Sequence, residues 1–321
     1  METNLSISSD FASYVYWTQE LRDNTLDQAQ LETRCPLDNG RHDCTSTPAR
    51  YTVNRLDKLP LELLTKVLLQ LDIPSLTCFR AVNHRTMELV NSIRQYAAII
   101  QHCPNIIRAI VSIQADGFDC ATLYNMLCTT RCSTCNYFGD HLYLIDCRRA
   151  CYFCFVQRPE YFPLTSREAY KLLTSNAKPQ SRAESSCKRR ELAKLPSILS
   201  LPGRYCCAYN NDGTEGKLQQ RRLRLYDRQA VVQSLVGDAL PRSDRATGEP
   251  KRHMMAIISA PVLLDGGRQV DHGFFCVPCR EEGDMDFRIK YTTEEMSRHF
   301  ASFGQVVKSP APGRYMHVTK D

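Results

Sequence analysis

The sequence has no long hydrophobic run. Its apolar stretches, such as Ala97–Ile100, are far shorter than the roughly 20 residues that a membrane-spanning helix needs. The first residues also lack a basic region followed by an apolar run, so no secretory signal is expected. These two absences predict a protein without membrane segments that stays inside the cell, in the cytoplasm or the nucleus.

The common catalytic motifs are missing as well. The sequence contains no P-loop, no G-x-G-x-x-G and no G-x-S-x-G, and none of its eight histidines begins H-x-E or H-E-x-x-H. Such motifs mark many phosphate-binding, hydrolytic and metal-dependent active sites. We therefore expect a protein without catalytic activity of its own.

Cysteine is abundant, with 16 residues among 321. Cytosolic and nuclear compartments keep thiols reduced, so clustered cysteines in an intracellular chain indicate metal binding rather than disulfides. The composition is otherwise that of a globular protein, with 43% hydrophobic and 24% charged residues. The length favours about two domains.

The densest cysteine cluster has the spacing of a zinc site. Two C-x2-C pairs, separated by 15 residues, are formed by Cys132, Cys135, Cys151 and Cys154. This spacing is typical of a structural site in which four thiolates bind Zn²⁺ as a closed tetrahedron. Cys147 is a fifth thiol that either replaces Cys151 or packs as a small apolar residue. The alternative for the whole cluster is reduced cysteines without metal.

A second constellation has three ligands. Cys276 and Cys279 form another C-x2-C pair, and His299 follows with nineteen residues between it and Cys279. The sequence leaves the fourth ligand open: His272, Cys206, Cys207 or a water molecule can supply it, or the site has become hydrophobic packing. Zinc is the cofactor expected at both sites.

Residues 56–113 have the apolar periodicity of consecutive helices. After Pro60, leucines and valines recur along one helix face through Leu71. Pro74 fits the first turn of a second helix, Asn83 is placed to cap a third, and a fourth is expected over Ile106–Ile113. A final helix is expected over Thr293–Phe303, with Thr292, Thr293 and Glu295 in capping positions and Gly304 after its end.

The segment that begins Leu59-Pro60-Leu61-Glu62-Leu63-Leu64 resembles the F-box. The resemblance extends over an ordered set of apolar positions and two prolines through Val90. It implies that the helices dock on a Skp-type adaptor of a cullin–RING ubiquitin ligase, while other parts of the chain hold a protein substrate. The adaptor-binding residues expected from it are Leu59, Pro60, Leu63, Leu64, Leu68, Leu71, Pro74, Leu76 and Phe79.

The stretch from Cys132 to Phe155 is similar to a segment that follows the F-box in a family of fungal F-box proteins, as is the sequence Leu-Pro-Gly-Arg-Tyr from Leu201. In those proteins a cysteine tends to follow the position of His299 by four residues and to precede a glycine. This chain has Phe303-Gly304 at that place. The resemblance therefore leaves the fourth ligand of the second site undetermined.

We expect an α+β protein in which an all-helical F-box and a zinc-stapled helical module precede a smaller antiparallel β-rich module with a C-terminal helix. In the β-rich module, Gly266-Gly267 is expected to turn a hairpin. The expected divisions are a disordered arm (1–54), the F-box (55–95), a cysteine-rich zinc module (96–165), a basic linker or helix (166–200), the β-rich module (201–304) and a tail (305–321).

Positive charge is concentrated between Lys178 and Arg252, which hold 16 Lys and Arg against 8 Asp and Glu. Lys188-Arg189-Arg190 and the Arg221–Arg224 segment lie near Tyr205, Tyr209 and Tyr226, a combination that nucleic-acid-binding surfaces also use. The pI of 8.5 and the lack of a His-x3–5-His pair do not favour that function. The alternatives are therefore a ligase adaptor, with basic residues around Arg189 attracting an acidic or phosphorylated segment, and a zinc-dependent module that binds nucleic acid or protein outside a ligase.

Overall fold

The computed structural model describes residues 15–16, 24–37, 56–174, 181–206, 218–234, 252–282, 288–309 and 314–318. Tyr209 and Cys207, considered above, lie outside these residues, as does most of the expected N-terminal arm. The helices are α1 Leu31–Arg34, α2 Leu61–Leu69, α3 Ile73–Arg80, α4 His84–Asn91, α5 Arg94–His102, α6 Pro104–Ile113, α7 Cys120–Leu127, α8 Tyr152–Gln157, α9 Ser166–Leu173, α10 Arg182–Ala193, α11 Arg228–Gln233, α12 Val277–Glu282 and α13 Thr293–Phe303.

The strands are short and antiparallel. They are β1 Val15–Tyr16, β2 His141–Tyr143, β3 Arg148–Ala150, β4 Leu164–Thr165, β5 Ser197–Leu199, β6 Gly203–Arg204, β7 Leu218–Gln219, β8 Arg224–Tyr226, β9 Ile257–Ser259, β10 Val262–Leu264, β11 Gln269–Asp271, β12 Phe275–Cys276, β13 Gln305–Lys308 and β14 Tyr315–Val318. Together with the helices they confirm the predicted α+β class.

The helices expected after Pro60 are present, with the expected caps. The Asp72 side chain accepts a hydrogen bond from the backbone amide of Ser75 in the first turn of α3, which Pro74 also occupies. Asn83 and Thr86 form a reciprocal capping box at the start of α4. The helix expected at Ile106 begins two residues earlier, at Pro104, because proline supplies a preset φ for a first turn. The F-box segment is all-helical.

The cysteine-rich segment is less helical than expected. Strands β2 and β3 form a hairpin between its two cysteine pairs, and α8 follows. A third strand, β9, pairs with β2, with Leu142 opposite Ile258. The C-terminal half of the chain therefore completes the sheet of the cysteine-rich segment. This pairing was not predictable, because the sequence pattern of a strand does not specify its partner.

The segment expected as a basic linker or helix contains two helices and a strand. Helices α9 and α10 and strand β5 lie within it, and β5 pairs with β8 in a three-stranded sheet of order β4-β8-β5. A small apolar cluster under these elements includes Leu173, Leu192 and Val231. This segment is thus packed against the structure that follows it.

Both terminal segments contain regular structure within the described residues. The arm predicted as disordered contains α1, and its Leu26 and Leu31 are buried in the main core. The expected tail contains β13 and β14, which pair antiparallel with Val306 opposite His317. No described helix is long and apolar enough to cross a membrane.

The predicted glycine turn is present between β10 and β11. Gly266 and Gly267 have positive φ angles of 63° and 88°, which glycine adopts without strain. The turn packs on the helical half: a Cβ on Gly267 would lie 2.6 Å from Ala98 Cβ on α5. The β10–β11 hairpin therefore packs closely against α5.

Candidate metal centres and docking face

The first centre brings together all four predicted cysteines. Cys132 and Cys135 lie in a turn before β2, while Cys151 precedes α8 and Cys154 lies in its first turn. Their four Sγ atoms lie within 4.8 Å of one another, and Cys135 Sγ is 3.4 Å from Cys151 Sγ. A tetrahedral ion with Zn–S bonds near 2.3 Å requires S–S distances of about 3.8 Å. The donor set fits zinc.

The thiols of this centre interact strongly. Hydrogen bonds from Cys151 and Cys154 to Cys132 lower the pKa of the Cys132 thiol far below its usual range. The same interaction raises the pKa of Cys151, because its proton is shared with a neighbouring thiolate. A group of closely spaced thiols in which one is already deprotonated is suited to bind a divalent cation. The cation displaces the remaining thiol protons when it binds.

Cys147 is not part of the cluster. It lies in the turn between β2 and β3 with a φ of 59° and is buried, and burial raises its pKa. Of the two roles left open for Cys147, the geometry favours packing. His141 also lies outside the cluster: its Nδ1 is 2.7 Å from the Asp140 carboxylate.

Arg149 holds the loop that carries the first cysteine pair. Its side chain is fully buried and donates hydrogen bonds to five main-chain carbonyl oxygens, those of Met126, Leu127, Gly139, Ala260 and Pro261. Its own carbonyl accepts from the amide of Ser133 at 2.9 Å. Burial lowers the pKa of Arg149 to about 10, so the group keeps its charge at neutral pH. Sequence reasoning missed this residue because nothing in the local pattern marks a buried arginine.

The second candidate centre groups four side chains that could bind a metal, rather than three. Cys276 ends β12, Cys279 lies in α12, His299 in α13, and the fourth group is His317 of β14. His317 Nε2 lies 3.3 Å from Cys276 Sγ and 3.5 Å from Cys279 Sγ, and His299 Nε2 lies 3.4 Å from Cys279 Sγ. Tetrahedral zinc with ordinary Zn–S and Zn–N bonds requires sulfur–nitrogen distances of about 3.5 Å. This set also fits zinc.

The fourth position is where the sequence prediction was incomplete. The cluster includes neither His272 nor Cys206, both of which the structure describes. His317 reaches the cysteines because the β13–β14 hairpin folds back beside α13. Aromatic rings enclose the two imidazoles: Tyr291 and Phe303 lie 4.5 and 4.4 Å from the His299 ring. The signal available in the sequence is the alternating Tyr315–Val318 segment, which lies in the expected tail.

None of the cysteines within the described residues forms a disulfide. The two centres are connected through side chains. Arg131, next to Cys132, forms an ion pair with Glu295 on α13. The guanidinium of Arg288 lies 4.2 Å from the ring centroid of Tyr152, which follows Cys151. The centres therefore belong to neighbouring, contacting parts of the described structure.

A separate apolar face lies at the start of the helical segment. Leu59, Leu61 and Leu63 have 39%, 55% and 49% of their surface exposed, and Pro60 between them is exposed. Leu71, Pro74 and Phe79 are half-buried. Three predicted docking residues lie in the core instead, because the helix period turns them inward: Leu64, Leu68 and Leu76.

Comparison with known proteins adds one finding. The family model of the F-box domain matches residues 56–97, which include α2, α3 and α4. No curated protein matches the chain, and no solved structure matches it. The similarity to fungal proteins stays a prediction. The chain therefore contains an F-box domain, formed by residues 56–97.

Proposed function

We propose that the chain is a substrate adaptor of a cullin–RING ubiquitin ligase and docks on a Skp-type adaptor through its F-box. The observation that carries this proposal is the exposed apolar face of Leu59, Leu61 and Leu63 within the matched domain. Groups of exposed apolar side chains are typical of surfaces that bind a partner.

Helix α2 has apolar side chains on two sides. Leu64 and Leu68 fill the core, while Leu61, Leu63 and Val67 face outward. A helix that only stabilised its own domain would carry polar residues on the outward side. Complete burial of a fully exposed leucine is worth about 1.5–3 kcal/mol, so burial of these leucines, about half of whose surface is exposed, would contribute roughly half of that each.

In this function the chain needs no catalytic residue. An adaptor holds a substrate near a ubiquitin-carrying enzyme, and the gain is a higher effective concentration of the reacting groups. The segments beyond residue 97 are then available to bind a protein substrate. We place this activity inside the cell, where ubiquitin ligases operate.

Co-purification from cells tests the docking. We expect the wild-type chain to bring down a Skp-type adaptor and a cullin, and the double variant Leu59→Ala/Pro60→Ala to lose both. Leu218→Ala is the matched control, because Leu218 is exposed to a similar degree but lies in β7, outside the F-box. Proteins retained by both versions would be candidate substrates. Absence of adaptor and cullin from folded, zinc-containing wild type would favour a zinc-dependent binding module outside a ligase.

We further propose that both centres hold structural zinc. Four protein ligands at each centre leave no open position for a substrate. The ion would fix the cysteine turn before β2 at one centre, and would join α12, α13 and the β13–β14 hairpin at the other. The cysteines of the first centre line the main core, whereas the second centre has only a small apolar cluster, and a small core is the situation in which metal binding contributes most to folding.

Metal analysis of the purified chain tests this. We expect two zinc ions per chain in the wild type and one in His317→Ala, which removes a ligand of the second centre only. Cys147→Ala is the control and should retain two, because Cys147 lies outside both ligand sets. Less than one zinc per chain in folded wild type, or two in His317→Ala, would contradict the assignment.

A further inference from the structure

Three arginine side chains form hydrogen bonds to successive positions of one extended segment, residues 197–202. Arg224 Nη1 donates to Ser197 Oγ at 3.2 Å, Arg222 donates to the carbonyl oxygens of Leu199 and Ser200 at 3.1 Å each, and Arg34 Nη2 donates to the Pro202 carbonyl oxygen at 3.1 Å. We call Arg34, Arg222 and Arg224 the arginine row. Their anchoring points are two to three residues apart, which is about 7–10 Å on an extended backbone.

The arginine row is a fixed concentration of positive charge. All three residues are exposed, and none of them forms an ion pair with an acidic residue in the part of the chain that the structure describes. Burial, and then the charges of Arg34 and Arg224, lower the pKa of Arg222. The nearby Glu32 does not neutralise the row, since its carboxylate faces Arg108 at 4.0 Å.

The anchoring also fixes the orientation of the guanidinium groups. Arg34 uses its Nε and Nη2 atoms to reach the carbonyl oxygens of Ala29 and Pro202, and Arg222 likewise uses Nε and Nη2. No described group accepts from Nη1 of either residue. A guanidinium that is already held in place loses less conformational entropy when it binds a carboxylate, so part of the cost of binding is removed.

The geometry distinguishes an acidic polypeptide from nucleic acid. Binding of single-stranded nucleic acid depends on exposed aromatic rings on which bases stack. The aromatic residues beside the row that the structure describes, Tyr205 and Tyr226, are both buried. Alternate side chains of an extended peptide lie about 7 Å apart on one side, which is comparable to the spacing of two to three residues between the anchoring points of the row.

We infer that the arginine row binds an extended, acidic segment of a protein substrate, with carboxylates on alternate residues paired with successive guanidinium groups. This inference rests on the proposed adaptor function, in which the chain beyond the F-box holds the substrate. Carboxylates suit the row because arginine presents paired donors that match their geometry. A row of separated charges favours several carboxylates over one phosphate group.

The other basic segment fits this role less well. On α10, Lys188 already pairs with Glu191 at 3.0 Å, and Arg189 lies over the ring of Tyr170. Part of the charge of α10 is therefore satisfied within the chain. This makes the helix a suitable control surface, since it has similar composition but a different arrangement.

Fluorescence anisotropy with the full, zinc-loaded chain tests the inference. The probe is a labelled peptide of about ten residues that alternates Glu and Ser, at low ionic strength, where exposed charges are least screened. Arg222→Gln/Arg224→Gln should weaken binding at least tenfold, and Arg189→Gln/Arg190→Gln should change it less than twofold. Arg221→Glu is a second variant: it reverses an exposed charge beside the row without removing an anchoring hydrogen bond, and should weaken binding at least threefold.

Three outcomes would overturn the inference: binding within twofold of wild type in both Arg222→Gln/Arg224→Gln and Arg221→Glu, tighter binding of a single-stranded RNA of equal length, or much tighter binding of a phosphoserine peptide of equal net charge. The RNA outcome would assign the row to nucleic acid, and the phosphopeptide outcome to phosphate. The test is independent of ligase docking. Peptide binding without co-purification of the adaptor would support the binding role of the arginine row and contradict the ligase proposal. Co-purification of the adaptor without peptide binding would support the ligase proposal and contradict the role of the arginine row.

Discussion

Replacement of Arg149 tests how the first metal centre is supported. The Arg149 side chain is 0% exposed, and its hydrogen bonds join the end of α7, the cysteine loop and residues 260–261. In Arg149→Met the side-chain volume is largely kept, but five carbonyl oxygens lose a charged donor. Removal of a buried charged partner costs about 3–5 kcal/mol, and each buried carbonyl left without a donor adds to that cost.

We therefore expect Arg149→Met to lower the free energy of unfolding by about 3–5 kcal/mol, a large share of the 5–15 kcal/mol typical of a folded protein. Arg149→Lys keeps the charge but offers three donors in place of five, so its loss should be intermediate. The control is Arg268→Ala, because the exposed Arg268–Asp265 pair at 3.7 Å is worth less than about 1 kcal/mol.

Urea unfolding followed by circular dichroism, with zinc in excess, measures these differences as shifts of the midpoint at an unchanged slope. Zinc content should fall in parallel, from two ions per chain toward one in Arg149→Met, because the loop of Cys132 and Cys135 loses its support. The reasoning is refuted if Arg149→Met stays within about 1 kcal/mol of the wild type and retains two zinc ions.

Three further predictions follow from the packing and the charges. Gly267→Ala should destabilise the protein by about 1–3 kcal/mol, because the positive φ of Gly267 and the 2.6 Å approach of an added Cβ to Ala98 Cβ exclude a side chain. Gly203→Ala is the control and should cost far less, because a Cβ there would make only ordinary contacts. Equal thermal midpoints of the two variants would contradict this prediction. Lys290→Met should destabilise at neutral pH: burial opposes ionisation of Asp140, but His141 and Lys290 outweigh it and lower the pKa of Asp140 below 3.8. The stabilisation from a lowered carboxyl pKa is present above pH 3.8 and is lost as the pH falls through the pKa of the folded state. The difference in unfolding free energy between wild type and Lys290→Met should therefore shrink in acid. A constant difference across a pH series would refute this prediction. A strong chelator should remove cooperative unfolding, and added zinc should restore it, as measured by calorimetry; a folded, chelator-resistant apoprotein would show that the metal is not structural.

Local signals predicted much of the fold. The capping residues Thr292 and Glu295 and the terminal Gly304 gave the bounds of α13, and Asn83 marked the start of α4. Caps are local because a side chain satisfies backbone groups within three or four residues of itself. The C-x2-C spacing of Cys132 and Cys135 was informative for the same reason. The domain boundaries outside residues 56–97 stay predictions.

Long-range pairing was not predictable from these signals. The pairing of β9 with β2 joins residues more than a hundred positions apart, and any strand with a suitable apolar pattern could have filled that edge. His317 was missed because its role depends on the return of the β13–β14 hairpin. Helical periodicity placed Leu64 and Leu68 on a face but did not say whether that face meets the core or a partner.

The most direct test of the docking account is a calorimetric titration of the purified, zinc-loaded chain with a purified Skp-type adaptor. The account predicts saturable one-to-one binding by the wild type. It predicts binding at least tenfold weaker, a loss of about 1.4 kcal/mol or more, for Leu59→Ala/Pro60→Ala, and unchanged binding for Leu218→Ala. Equal affinity of the double variant, or no binding by the folded wild type, would contradict the claim that this face of the F-box docks on the adaptor.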